Sequence, residues 1–242
     1  MIATPRVLLV GMPVWDVSLP PLPLAVVCGI VESAGWSCTV LDANAGLHAL
    51  AVETDKSAWR DFGFYRRDPV YIDTFYRRYE RVLHEIFNEA LDSRGFDLIG
   101  FSVNLQTRAF SLRAARTLSQ RFPNRPLLFG GPDCFPRESP GAYLEAGISS
   151  PVIVLQGEAE IALPKFLKEF QTTRSVRTSL PGFRFREGKA HGDSGPPELP
   201  DLASDAVLAD FSRIDFSAYL HPDRFPTYFS RGCVQRCAFC NE

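Results

Sequence analysis

Through the first two thirds of the chain, short apolar runs alternate with longer stretches whose apolar positions recur every three or four residues. That alternation predicts strand–helix–strand units wound around a parallel sheet. Arg6–Val10 is the first predicted strand, followed by a helix from about Leu22 to Ala34 that Gly35 stops, and Ser37–Asp42 is the second strand. Asp97–Ser102, Pro126–Phe129 and Val152–Leu155 supply strands three to five. Helices are predicted over Arg108–Arg121, ending before Pro123, over Arg137–Glu145 and over Glu158–Phe170. The expected class is α/β: a doubly wound, five-stranded parallel sheet with helices on both faces.

Between strands two and three lies an insertion over about residues 45–95. Its second half places Ile72, Phe75, Tyr76, Tyr79, Val82, Leu83, Ile86, Phe87, Ala90 and Leu91 at helical spacing, with Gly95 shortly beyond. Such an aromatic stripe reads as a buried face, not a cofactor box. The first half, with Trp59, Phe62, Phe64 and Tyr65, is a candidate cap over a ligand crevice. After Phe170 the texture changes. Gly182–Lys189 reads as a small hairpin, His191–Pro200 as a Gly/Pro-rich acidic linker, and Pro226–Ser230 as a short strand leading into a cysteine loop. The predicted division is an α/β domain over residues 1–175, a hairpin and linker over 176–225, and the start of a further domain over 226–242.

Composition narrows the function classes. The chain has 242 residues, 45% apolar and 22% charged, as suits a globular protein with a real core. A net charge of −2 builds no basic field, so nucleic acid is a poor partner. The longest apolar stretch, Leu22–Val31, is far short of the roughly 20 residues that span a bilayer. The N-terminus reads as a first strand, not a secretory signal, and a cytoplasmic location is expected. In that setting six cysteines do not suggest a disulfide framework. Cys28, Cys38 and Cys134 are scattered among apolar or turn residues and read as buried thiols.

The other three are different. Cys233, Cys237 and Cys240 follow a C-x3-C-x2-C spacing in Arg231-Gly-Cys-Val-Gln-Arg-Cys-Ala-Phe-Cys. Thiolates suit iron–sulfur clusters, zinc and copper(I). Three on one tight loop can hold three corners of a cubane, whereas a structural zinc site wants a fourth protein ligand.

Chemistry is also expected where strands end, because open parallel sheets bind ligands beyond the carboxyl ends of their strands. The loop after strand one carries Pro13 and Trp15 and lacks the G-x-G-x-x-G of a dinucleotide site. Strand three ends in Ser102, Asn104, Leu105, Gln106 and Thr107. Strand four ends in Gly130, Gly131, Pro132 and Asp133, and strand five in Gln156, Gly157, Glu158 and Glu160. Small residues let backbone approach a flat ligand, and amides and hydroxyls supply hydrogen bonds. The same residues also serve as ordinary strand-to-helix turns.

The cysteine run, with Phe239 before its last member and Ser230-Arg231-Gly232 ahead, resembles the radical S-adenosylmethionine signature. The upstream pieces resemble the cobalamin-binding domain that precedes the radical barrel in cobalamin-dependent radical S-adenosylmethionine enzymes. They are Pro20-Pro21-Leu-Pro-Leu-Ala25, Gly100-Phe-Ser102, Gly130-Gly131-Pro132, Gly157-Glu158-Ala159-Glu160, Pro181-Gly182-Phe183 and Asp215-Phe-Ser-Ala-Tyr219. The resemblance implies a Rossmann- or flavodoxin-like domain leading into a truncated barrel, with cobalamin, a [4Fe–4S] cluster on Cys233, Cys237 and Cys240, and S-adenosylmethionine as cofactors. It implies a methyltransferase acting on a small molecule or peptide and reduced by a donor such as a flavodoxin or ferredoxin. The strand-end residues named above would hold the cobalamin, with Asn104, Leu105 or Gln106 near its lower face. Asp16-Val17-Ser18 stands where carrier and mutase domains have their cobalt-binding histidine, so base-off binding without histidine is expected. The chain ends at Glu242, two residues past Cys240, so on this reading it binds cobalamin but does not turn over alone. The rival readings are a cobalamin carrier whose cysteine tail binds zinc or a partner, and a flavodoxin-like nucleotide or signalling domain.

Overall fold

The structure, a computed structural model, describes residues 4–91, 95–135, 139–201 and 208–228. In chain order it contains β1 (Arg6–Gly11), α1 (Leu22–Ser33), β2 (Ser37–Asp42), α2 (Ala43–Leu50) and α3 (Pro69–Ala90). These are followed by β3 (Leu98–Ser102), α4 (Arg108–Arg121), β4 (Leu127–Gly130), α5 (Ser139–Leu144) and β5 (Val152–Leu155). Last come α6 (Ala159–Thr173), β6 (Phe183–Glu187) and β7 (Ala190–Asp193). The sheet order is β2-β1-β3-β4-β5-β6-β7, parallel through β5 and antiparallel across β6 and β7.

The five predicted parallel strands are present, but the sheet has seven strands, not five. The predicted hairpin is not an appendage: β6 pairs with β5 in antiparallel register, Val152 opposite Arg186 and Leu155 opposite Phe183. Every residue of β5 is buried, and leaving it as an edge would expose its unpaired amides and carbonyls. β7 also takes up the first residues of the stretch read as linker. Nor is Pro226–Tyr228 a strand. Phe225 before it and Tyr228 at its end are 66% and 50% exposed, this segment pairs with no described strand, and the last two residues of the predicted strand, 229 and 230, lie outside the described residues.

Alternation along the strands feeds two cores. Leu8, Val10, Ile99, Phe101, Leu127, Phe129, Val152 and Val154 face one side, under α3, α4 and α5. Val7, Leu9, Leu98, Leu128, Ile153 and Leu155 face the other, under α1 and α6. Central strands buried on both faces read as unbroken apolar runs, which is why they stood out in the sequence.

The aromatic stripe of α3 is core, as its spacing predicts: Ile72, Phe75, Tyr76, Tyr79, Leu83 and Phe87 are buried. The earlier part of the insertion folds as α2 and two 3₁₀ turns, Glu53–Arg60 and Phe64–Arg66. Trp59 and Phe64 point into the same core, where Phe64 meets Phe75 and Phe110 edge-on or tilted, and Phe62 stays exposed. Among the described residues no helix is long and apolar enough to cross a membrane.

Candidate functional site

In this strand order the chain leaves β1 towards β2 and leaves β3 towards β4, in opposite directions. The crevice between the loops after β1 and β3 is the switch point at which open sheets of this kind take ligands. Strand register brings its floor together: Gly11 lies opposite Ser102, and Ser102 opposite Gly130.

The loop after β1 is anchored from beneath. Met12, Pro13, Val14 and Val17 are buried, while the Trp15 side chain is 40% exposed. Asn44, near the start of α2, clamps the Trp15 backbone: its Oδ1 accepts from the Trp15 amide at 3.0 Å, and its Nδ2 donates to the Trp15 carbonyl at 3.1 Å. The same Oδ1 accepts from the Trp59 indole at 2.8 Å, so the insertion braces this loop. The sequence reading missed Asn44, because its only local sign was a polar residue in an apolar turn of helix.

After β3, Asn104 acts as a cap. Its Oδ1 accepts from the Gln106 and Thr107 amides at 2.9 and 3.1 Å, and the buried Thr107 hydroxyl accepts from the Asn104 amide at 3.1 Å. These bonds pair the amides of the turn that leads into α4. Leu105, at the loop tip, is 41% exposed, and Gln106 is half-buried.

After β4 the two glycines differ. A Cβ on Gly130 would meet no atom of the described residues within 4 Å, whereas Gly131 has φ +107° and its Cβ would lie 2.6 Å from the Val103 carbonyl oxygen. Gly131 therefore lets two backbone turns touch, whereas no described residue crowds the side-chain position of Gly130. Pro132 is exposed, and Asp133 is buried. The Asp133 carboxylate accepts from Arg108 Nε and a terminal guanidinium nitrogen, both at 2.5 Å, and from the Tyr143 hydroxyl. Bonding to Asp133 holds Arg108 above its ordinary pKa, and burial pushes the Tyr143 hydroxyl up. Asp133 thus spends its acceptors within the protein, tying the loop after β4 to α4 and α5.

After β5 the rim is filled by its own chain. The Gln156 amide donates to the Gly182 carbonyl at 2.8 Å and its Nε2 donates to Phe135 at 3.4 Å. A Cβ on Gly157 would lie 2.8 Å from Pro197. Glu160 is buried in α6, and half-buried Glu158 stands just before that helix. The predicted residues therefore divide. Trp15, Ser102, Leu105, Gln106 and Gly130 line an accessible switch-point rim, with Pro13 and Asn104 supporting it. Thr107, Gly131, Asp133, Gln156, Gly157 and Glu160 are occupied by packing.

A strap from the C-terminal region closes against the same edge. The Asp210 amide donates to Ala25 at 2.8 Å, and the Leu220 and His221 amides donate to Val17 and Ser18, both at 3.1 Å. The Tyr219 hydroxyl donates to Asp42 Oδ2 at 2.6 Å, and burial raises the Asp42 pKa. His221 is thus brought beside the loop after β1, although the sequence places it far away. Cys233, Cys237 and Cys240 lie outside the described residues, as do Ser230, Arg231 and Gly232. Among the described residues no group of three or more His, Cys, Asp or Glu side chains is placed to hold a metal. Cys28, Cys38 and Cys134 are buried; the hydrogen bond to Cys28, and then burial, push the Cys38 thiol up, and burial pushes Cys134 up. Such thiols are inert.

A groove of about 400 Å³ between α3 and α4 lies away from the strand ends, and Asp73 pairs there with Arg77 and Arg113. Its walls are charged and polar, with Arg116 and Glu80 beside that trio, a poor match for a flat apolar ligand.

No protein-family model and no curated protein matches the chain. Among solved structures, the apo, selenomethionine-labelled cobalamin-dependent S-adenosylmethionine radical enzyme OxsB is similar, with a TM-score of 0.49 and 15% identity. The similarity covers 86% of this chain and 24% of that one, so this chain spans about a quarter of that enzyme's length. A likeness that distant assigns neither a family nor a ligand.

Proposed function

We propose that this chain is the N-terminal part of a cobalamin-dependent radical S-adenosylmethionine methyltransferase that acts on an unactivated carbon. The observation that carries the reading is the C-x3-C-x2-C run placed behind an α/β domain with an accessible, partly apolar switch-point rim. A corrin asks for broad apolar contact, close backbone and few polar groups. The rim offers Trp15 and Leu105 as exposed apolar side chains, and Gly130 as backbone with open space where a side chain would stand. These residues would hold the corrin, with Ser102 and Gln106 hydrogen-bonding its edge amides. Asn44 would fix the Trp15 backbone, and Asn104 the Leu105 turn.

Cys233, Cys237 and Cys240 would hold the cluster, leaving one iron for S-adenosylmethionine. When bound, the cluster and S-adenosylmethionine supply a carbon radical and the cobalamin supplies the methyl group, while the protein keeps them in register and excludes water. A reduced flavodoxin or ferredoxin would deliver the electron, and the substrate is a small molecule or peptide.

Anaerobic reconstitution with iron and sulfide tests the thiol assignment. Iron and acid-labile sulfide in equal amounts are expected, with loss of both in C233A, C237A and C240A. A loop that takes up zinc and no sulfide would favour a carrier module instead.

A further inference from the structure

The loop that carries Trp15 is held at both ends, by groups that converge on one carboxylate. At one end Asn44 accepts from and donates to the Trp15 backbone. At the other, the Val17 and Ser18 carbonyls accept from the Leu220 and His221 amides at 3.1 Å each. Asp42 joins the two. Its Oδ1 caps α2 by accepting from the Asn44 and Ala45 amides at 3.0 and 3.1 Å, and its Oδ2 accepts from Tyr219 at 2.6 Å. The residue that positions Asn44 is therefore the one that ties down the strap, across a separation of 177 residues. Asp42 is half-buried, and its carboxylate accepts all three of these bonds, so losing Tyr219 removes the one that reaches the strap.

Resting on the proposed function, we infer that Asp42 and Tyr219 are positioning residues that lock the strap leading to the cysteine loop onto the Trp15 loop at the rim. Trp15 would touch the ligand; Tyr219 acts through Asp42, Asn44 and the Val17–Ser18 carbonyls. Ligand binding and strap order are then two readouts of one latch, and each strengthens the other by the same factor.

The test uses the whole chain, with hydroxocobalamin as the probe. In Y219F the Leu220 and His221 amides are expected to exchange with solvent at least about fivefold faster, and hydroxocobalamin to bind about fivefold more weakly, the scale of one lost hydrogen bond. Arg213, on the same strap, pairs with Glu32 of α1 at 3.3 Å and does not reach the rim. R213A is therefore expected to leave both readouts within twofold of the parent. In the unaltered chain, hydroxocobalamin should slow exchange at Leu220 and His221. Unchanged exchange in Y219F would overturn the latch; faster exchange with unchanged affinity would overturn its coupling to the rim. Equal weakening in R213A would reduce Tyr219 to general stability. If Y219F does not fold, N44S, which frees Trp15 without touching Tyr219, is expected to weaken hydroxocobalamin about fivefold, and unchanged affinity there would overturn the coupling. An unaltered chain that binds no corrinoid would remove the proposed function, while the exchange arm would still decide the latch.

Discussion

Asp42 shows how burial turns one carboxyl into a pH-dependent element. Desolvation lifts its pKa above 3.8, outweighing the bonds from Tyr219, Asn44 and Ala45, which favour the charged form. The unfolded chain therefore loses this proton at lower pH than the folded one, and this residue's contribution to stability falls as pH rises from 3.8 through the folded value, then levels. Asn at this position stays neutral. Stability of D42N relative to the parent, from urea unfolding across a pH series, should improve with pH over that window; a difference that does not vary with pH would contradict the assignment. None of this was legible in the sequence, where Asp42 reads only as the end of a strand. The Arg108–Asp133 pair left one faint sign: a cation in the first turn of a helix is unfavourable against the dipole and implies a nearby anion. The two glycines after β4 are identical as letters. Only the approach of Val103 separates the one that packs from the one that opens.

At the scale of elements, period and punctuation carried far. Strands β2 and β5 and helix α4 have the predicted bounds, and β1, β3 and β4 lie within a residue of them. The stripe of α3 faces the core because its period is helical and its aromatics have Phe64, Phe110 and Trp59 to meet. The first half of the insertion was less legible, as its 3₁₀ turns have no long period, and its aromatics looked like a cap. Phe64 is 1% exposed within that cluster. Replacing it with Ala should cost about 3–5 kcal/mol in urea unfolding, by lost burial and a cavity; a cost under about 1 kcal/mol would return this segment to the surface. The hairpin was recognised as β, but nothing local announced that it would extend the main sheet. That follows from the need of β5 for a second neighbour.

For the whole molecule, the sequence pointed to a parallel doubly wound sheet, and the strand order sets where its switch point lies. What it concealed was convergence. The strap, the loop after β1 and α2 meet through bonds between distant residues, and no periodicity encodes them. Part of the predicted rim, Thr107, Gly131, Asp133, Gln156, Gly157 and Glu160, is self-filled, since glycine and capping residues serve turns as readily as ligands. The accessible remainder, centred on Trp15, Leu105 and Gly130, carries the account, and Gly130 offers its sharpest probe. A Cβ there meets no described atom within 4 Å, so a side chain is expected to leave the fold intact while occupying the volume assigned to the corrin. Titration of the parent chain and of G130L with hydroxocobalamin, with thermal midpoints measured in parallel, is the most direct measurement. A retained corrinoid is expected in the parent, and in G130L an unchanged midpoint with affinity at least about tenfold weaker, a difference of about 1.4 kcal/mol. Equal binding by both proteins, or none by the parent, would contradict it.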